Sequence, residues 1–319
     1  MNYLGIDIGG TSVKCGLISP EGQVLLSRAY PADVPHYNTN LMETALEGAK
    51  SFVTELASGE TDLARAVQKL EIQGIGIDTT GLPDEEGTVR GAVEHIPHYM
   101  NAPLGRVFRE CFGLPVRVIN DANAAALAEL WSGSAKGCKQ AVVLTIGTGI
   151  GAGIIVNGRL LSGAHGFAGE VGHSVIKKDG PMTPCGNPGT FEEYGAVTGL
   201  LKLTKSRLEE AGRPLPEEGL NGRVIFRRAE EGDALYLGIL DTWIQDMAVG
   251  IVNLIYTFDP EIVVIGGAVS AQDALLIRPL REEVRAQLMP LYARVFRLEP
   301  ATHGNEAGMM GAVYHLLNS

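Results

Sequence analysis

A glycine-rich turn between two apolar runs occurs twice in this chain, about half a chain apart. The first copy is Tyr3-Leu-Gly-Ile-Asp7-Ile-Gly9-Gly10-Thr11-Ser-Val-Lys14-Cys-Gly-Leu-Ile18, and the second is Ala141-Val-Val-Leu-Thr145-Ile-Gly147-Thr148-Gly149-Ile-Gly151-Ala-Gly153-Ile-Ile-Val156. Each copy predicts a β-hairpin with a glycine-rich tip. Glycine lets the backbone approach a ligand closely, and successive N–H groups in such a turn form an anion nest. Two such nests predict one polyphosphate clamped between two related domains.

A chain of 319 residues that is 45% hydrophobic can bury a large core in one or two domains. The formal net charge of -11 argues against a nucleic-acid partner, which calls for a basic face. Cys15, Cys111, Cys138 and Cys185 form no C-x-x-C pair and suggest no disulfide framework. That fits a reducing, cytoplasmic location. The N-terminus leads straight into a strand with no basic or apolar leader, so a signal peptide is not expected. No uninterrupted apolar stretch has the length of a bilayer, so no membrane partner is expected either.

The periodicity predicts strands at 3–8, 13–18 and 23–29, a helix at 41–56, a buried strand at 72–78 and a helix at 104–112. A strand at 116–119 and an Ala-rich helix at 122–131 follow, separated by the Asn120-Asp121 corner. The pattern then restarts with strands at 140–146 and 151–157 and a Gly-rich stretch at 163–189. Helices are predicted at 191–209, 221–231, 234–257 and 273–288, strands at 262–265 and 294–298, and a last helix at 305–317. Two hairpin-led α/β units in succession predict mixed sheets covered by helices.

Both glycine turns lead into a second strand rather than a helix, so a dinucleotide fingerprint is excluded, and no G-x-x-x-x-G-K-[ST] string is present. Taken alone, each turn could be a simple tight hairpin. The polar residues add to that. Asp7 ends an apolar strand, where a carboxylate needs a partner such as a hydrated cation. Thr11, Lys14 and Thr148 could contact phosphate. Asp121 could simply cap the helix that starts there, and Glu170, His173 and Glu192 could be ordinary solvated loop residues.

The string Asp7-Ile-Gly-Gly-Thr11-x-x-Lys14 resembles the first phosphate motif of actin-like sugar kinases and, among them, of the ROK family. Five further strings follow in order: Asn120-Asp121-Ala-Asn-Ala-Ala-Ala, Thr145-Ile-Gly-Thr-Gly-Ile-Gly-Ala-Gly, Gly169-Glu170-Val-Gly172-His173, Cys185-Gly-Asn-Pro-Gly-x-Phe-Glu192 and Val263-Val-Ile-Gly-Gly267. The resemblance covers nearly the whole chain. It implies an α/β, two-domain ribonuclease-H-like fold with ATP and sugar in the interdomain cleft. The lobes it implies are 1–121 plus 305–319, and 122–304. It also implies an ATP-dependent kinase that phosphorylates a sugar 6-hydroxyl, with Mg²⁺ and a homodimer built through the C-terminal lobe. Asp121 would be the general base. Asn120, Asp121, Gly81, Glu170, His173 and Glu192 would bind the sugar. Asp7, Gly9, Gly10, Thr11, Lys14, Gly147, Thr148, Gly149, Gly266 and Gly267 would bind the nucleotide. Gly266-Gly267 could alternatively just turn the chain.

The chain also departs from the resembling family. Where many members carry three cysteines that join the histidine around a structural zinc, this chain has Thr183, Cys185 and Thr190. Only Cys185 and His173 remain as donors, and a closed tetrahedral site needs four, so no structural zinc is expected. The segments at 78–83 and 95–101, which include Thr80-Gly81 and His95, match the acceptor-pocket loops only loosely. The acceptor therefore stays open among glucose, N-acetylmannosamine and a β-glucoside. Readings from other classes are an actin-like ATPase, a sugar-sensing regulator without kinase activity, and a repressor. The last would need a DNA-binding segment ahead of the first phosphate motif.

Overall fold

The two glycine-rich hairpins each open a five-stranded sheet, and the two sheets share one topology. The computed structural model describes residues 1–32, 40–91, 96–184 and 186–319, so the readings on His95 and Cys185 lie outside the described residues. The first part of the chain forms β1 (Asn2–Ile8), β2 (Ser12–Ile18), β3 (Val24–Pro31), α1 (Leu41–Leu56), α2 (Leu63–Lys69), β4 (Ile72–Thr79), β5 (Leu82–Pro83), β6 (Val89–Gly91), α3 (Leu104–Phe112), β7 (Val116–Asn120) and α4 (Asp121–Ser132). It continues with β8 (Ala141–Ile146), β9 (Ile150–Val156), β10 (Arg159–Leu160), α5 (Phe191–Gly195), α6 (Val197–Glu210), α7 (Gly222–Glu230), α8 (Ala234–Phe258), β11 (Ile262–Gly266), α9 (Arg278–Gln287), α10 (Pro290–Val295), β12 (Leu298–Pro300) and α11 (Ala307–Leu317). A 3₁₀ turn spans Val171–His173 and a π turn spans Asp273–Ile277.

The chain divides into two compact units: unit 1 is Met1–Gly137, Ser162–Ala168 and Asn305–Ser319, and unit 2 is Cys138–Leu161 and Gly169–Gly304. In unit 1 the strand order is β3-β2-β1-β4-β7, with β1 to β3 antiparallel and β1, β4 and β7 parallel. In unit 2 it is β10-β9-β8-β11-β12, with the same pattern of directions. These are the expected mixed α/β sheets.

The sheet of unit 1 has two unlike faces. Leu4, Ile6, Ile8, Val13, Cys15, Ile75 and Ile77 form one face and are buried in a cluster with Ala45, Phe52 and Phe108 of α1 and α3. Gly5, Gly16, Gly74 and Gly76 lie on the other. A Cβ on Gly76 would overlap the Ala312 backbone, and one on Gly5 would lie 2.8 Å from the Met309 carbonyl. These glycines let α11 lie directly on the strands, so the C-terminal helix completes unit 1.

The core of unit 2 is built around α8, whose Trp243, Met247 and Ile251 are fully buried. By length and composition α8 could cross a membrane, but Asp241 and Asp246 interrupt it, and 56% of its most apolar window is buried.

Three local expectations differ. The helix expected over 191–209 is broken at Ala196, which is extended (φ -73°, ψ 164°), because the Val197 N–H turns to the Gly147 carbonyl. The expected strand at 294–298 is displaced to β12. Pro290 starts α10, and it is Leu298 that pairs with Val263. The helix expected at 273–288 begins as the π turn and becomes regular only at α9. α2, capped by the Asp62 side chain, and the short β5–β6 hairpin are too brief to leave a periodic signal.

Candidate active site

In unit 1, Lys14, Asp7 and Asp78 stand side by side in one row across β2, β1 and β4. Residues in one row project to the same sheet face. Lys14 Nζ donates to Asp7 Oδ2 at 2.7 Å and to the Asn305 carbonyl at 3.4 Å. The partner that the strand-end carboxylate of Asp7 requires is therefore supplied within its own hairpin. Among the described residues, Thr11 beyond it is exposed, and a Cβ on Gly10 would meet nothing within 4 Å.

Asp78 was not singled out by the sequence reading. Its side chain is 1% exposed, and its Oδ1 has no hydrogen-bond partner among the described residues. Burial first, and then the Asp7 and Asp121 carboxylates, hold its pKa well above the usual carboxylate range, while Lys14 pulls the other way. A Cβ on Gly308 would lie 2.5 Å from Asp78 Oδ2, so the carboxyl fills the space against the first turn of α11. A signal was present: Gly-Ile-Asp occurs at 5–7 and again at 76–78, and the two triplets pair residue for residue.

At the end of β7 the helix cap is Asn120, whose Oδ1 accepts from the N–H groups of Ala122 (3.0 Å) and Asn123 (3.2 Å). Asp121 is the exposed first residue of α4. Its Oδ1 accepts from the Ala122 N–H at 2.7 Å and from Asn120 Nδ2 at 3.0 Å. Asn120 Nδ2 also donates to the Gly81 carbonyl at 3.1 Å. Gly81 is in the left-handed region at φ 90°, which favours glycine. The structure thus joins Gly81, Asn120 and Asp121 in one corner, with Asn120 holding the other two.

In unit 2 the second turn is closed by the Gly147 N–H on the Gly149 carbonyl. Its outer carbonyls are held by the start of α6: Gly147 accepts from the Val197 N–H, and Thr148 from Thr198 Oγ1 at 2.8 Å. Among the described residues no side chain caps α6. An uncapped helix start beside a glycine turn makes the surroundings of Gly147 and Thr148 favourable to anions. The residue matching Asp7 here is Thr145, paired with Gly151 and Gly266, so this row carries no carboxylate.

Glu192 docks onto the same turn. Its Oε2 accepts from the Ile150 N–H at 2.9 Å, and a Cβ on Gly149 would overlap that carboxylate. Gly172 packs against the Ile150 carbonyl and Glu192. Beside it His173 Nε2 stands 3.7 Å from Glu170 Oε2, both side chains partly exposed. Unit 2 therefore gathers Glu170, His173 and Glu192 around the second turn. Glu193, easily confused with Glu192 in sequence, is instead paired with Lys202 at 2.7 Å.

Gly267, at φ 88°, must be glycine because a Cβ would overlap the Ile146 carbonyl. Packing within the protein is thus enough to explain that glycine. Next to it lies a cavity of about 510 Å³ lined by Val197, Asn221, Gly222, Arg223, Phe226, Ala268, Val269 and Gln272. Its apolar walls and few polar groups suit a flat heterocycle. Sequence reading missed it because its lining comes from separate segments.

The zinc-position residues are engaged elsewhere. Thr183 Oγ1 donates to the Asn187 carbonyl, and the buried Thr190 accepts from the Glu193 N–H. These hydroxyls do not fit a closed zinc site. Among the described residues no group of three or more His, Cys, Asp or Glu is placed to hold a metal.

The ROK family model matches residues 3–318. A glucokinase of Thermotoga maritima is 30% identical over 321 residues, which cover 98% of this chain and 96% of that protein. A β-glucoside kinase of Listeria monocytogenes is 31% identical, with 99% of this chain and 98% of that protein covered. The crystal structure of a ROK family glucokinase from Streptomyces griseus in complex with glucose and AMPPNP matches with a TM-score of 0.79 at 28% identity, covering 100% of both chains.

Proposed function

From the membership of this chain in the ROK family, to which it belongs over residues 3–318, we propose that it is an ATP-dependent hexose kinase that phosphorylates a sugar 6-hydroxyl. The observation that carries the reading is the Gly81–Asn120–Asp121 corner, which holds a carboxylate at the rim of the same unit that presents the Asp7–Lys14 hairpin.

In this reading Asp121 accepts the proton of the attacking hydroxyl, and Asn120 keeps its carboxylate aimed. Phosphoryl transfer is loose and the proton moves late, so positioning carries most of the rate. The turns at Gly9-Gly10-Thr11 and Gly147-Thr148-Gly149 supply backbone N–H groups for phosphate oxygens. Both turns fit that task, since Cβ positions at Gly10 and Gly147 would meet none of the described residues within 4 Å. ATP, accompanied by Mg²⁺, supplies the γ-phosphoryl group. The cavity beside Gly267 receives the adenine. Glu170, His173 and Glu192 accept hydrogen bonds from the remaining sugar hydroxyls. Analogues lacking those hydroxyls would leave the acceptors unpaired and be rejected. The Ile150 N–H takes one Glu192 oxygen, leaving the other for sugar.

A β-glucoside acceptor is the second reading, favoured by the 31% identity to a β-glucoside kinase. Cytoplasmic action and a homodimer through unit 2 belong to the same proposal. Met289, Leu291 and Val295, exposed apolar side chains around α10, support the dimer.

The test is ADP release from ATP with Mg²⁺ across glucose, mannose, fructose, allose, N-acetylglucosamine, N-acetylmannosamine and cellobiose. One sugar far above the rest, with little ADP formed in its absence, is the expected result. ADP release at one rate with or without sugar would defeat the reading in favour of an ATPase.

A further inference from the structure

Among the described residues between His173 and Thr190, the isolated bridges Val175–Thr190 and Met182–Pro188 are the regular pairings. This segment joins residues that the proposed sugar site needs at both ends: Glu170 and His173 before it, Glu192 after it. Its base is closed by backbone bonds that converge on Lys177 and Gly189. The N–H groups of Ile176 and Lys177 both donate to the Gly189 carbonyl, and the Gly180 N–H donates to the Lys177 carbonyl. The Phe191 N–H donates to the Ser174 carbonyl at 2.7 Å. Gly189, at φ 54°, lies so close that a Cβ there would overlap the Lys177 carbonyl.

The Lys177 side chain leaves this base for two helices. Its Nζ is 2.7 Å from Asp246 Oδ1 on α8 and 4.1 Å from the ring centroid of Tyr194 on α5. The Asp246 side chain is only 14% exposed, so the carboxylate end of the pair is sheltered while the Lys177 end, 43% exposed, reaches solvent. Tyr194 also reaches the loop itself, since a Cβ on Gly180 would lie 2.7 Å from its hydroxyl. α5 carries Glu192 and is anchored by Phe191, whose ring fits against Gly250 of α8.

We infer that Lys177, Asp246 and Tyr194 form an organic clamp that fixes this loop, and that Lys177 is a positioning residue for Glu170, His173 and Glu192. The clamp stands in a loop whose Thr183 and Thr190 do not suit a metal clip. A cation over an aromatic face and an ion pair to a half-buried carboxylate restrain one ammonium from two directions. One residue thereby ties the loop base, α5 and α8 together. The consequence for sugar binding rests on the functional proposal above; the clamp itself does not.

The test uses K177M, K177R and D246N in the full chain. Hydrogen exchange of the amides at 174–190 reads the clamp, and steady-state kinetics with the best acceptor sugar read its effect. K177M and D246N should exchange faster at 174–190, with the buried amides of α8 unchanged. Each should raise the sugar KM about tenfold while kcat changes less than about twofold. K177R, which keeps the charge and the stacking, should restore both readings. Unchanged exchange and KM in K177M and D246N, or a K177R no better than K177M, would overturn the clamp. Faster exchange in a protein that turns over no sugar would uphold the clamp and defeat the kinase reading instead.

Discussion

The carboxylates of unit 1 illustrate how neighbours decide what a residue does. Asp121 and Asp78 carry the same group, one on an exposed rim and one buried beneath α11. As the proposed general base, Asp121 should be sensitive to isosteric loss of charge. Asp121→Asn is expected to lower kcat about a hundred- to ten-thousandfold, while the sugar dissociation constant measured by calorimetry changes little. Near-normal kcat would refute the role. Asp78 makes a different prediction. Its pKa is raised on folding, so above the usual carboxylate range the folded chain holds a proton that the unfolded chain has released. Stability is therefore lost as pH rises through that window, and the loss is absent below it, where both states are protonated. Asp78→Asn has no such proton. Its urea midpoint should fall less than that of the parent chain between about pH 5 and about pH 8. Parallel curves would show that Asp78 ionises normally.

Among the elements, the close fit of α11 on the unit 1 sheet depends on absent side chains. Gly76 faces the Ala312 backbone, which cannot rotate away as a side chain could. Gly76→Ala is expected to destabilise the protein by about 1–3 kcal/mol, read as a lower urea midpoint at unchanged slope. No measurable change would mean that α11 can shift at no cost. The break at Ala196 carries the complementary lesson. Residues 191–209 have helical periodicity throughout, and α5 and α6 are both helical. The interruption comes from a distant carbonyl, Gly147, that takes the Val197 N–H. Nothing local encodes it.

For the whole molecule, unit 1 is discontinuous. α11 brings the buried Met309, Met310 and Val313 from the end of the chain onto strands at its beginning. The main core of unit 2 includes none of α11. Ending the chain after Gly304 should therefore abolish amide protection in β1, β2 and β4 and leave it in α8. Retained protection in β1 would show that unit 1 does not need its last helix. Each unit also repeats one strand order, with carboxylates in the first row and none in the second. The first turn is thus paired with a cation and the second is uncharged.

The sequence alone determined the repeat, the α/β class, the two hairpin tips and the Asn120-Asp121 corner. Each of these is written in contiguous residues, where alternation, glycine and capping chemistry act over a few positions. The Gly-Ile-Asp triplet at 76–78 was equally legible, but only pairing with 5–7 gives it meaning. Tertiary structure decided the rest. It placed Asn120 rather than Asp121 in the cap, gave Asp7 the Lys14 ammonium, and set Glu192 on the second turn. It also assembled the cavity beside Gly267 from scattered segments and brought Lys177 to Asp246. Hydrogen-bond geometry and burial depend on which atoms meet in space, and residues far apart in the chain meet only once the sheets and helices have packed.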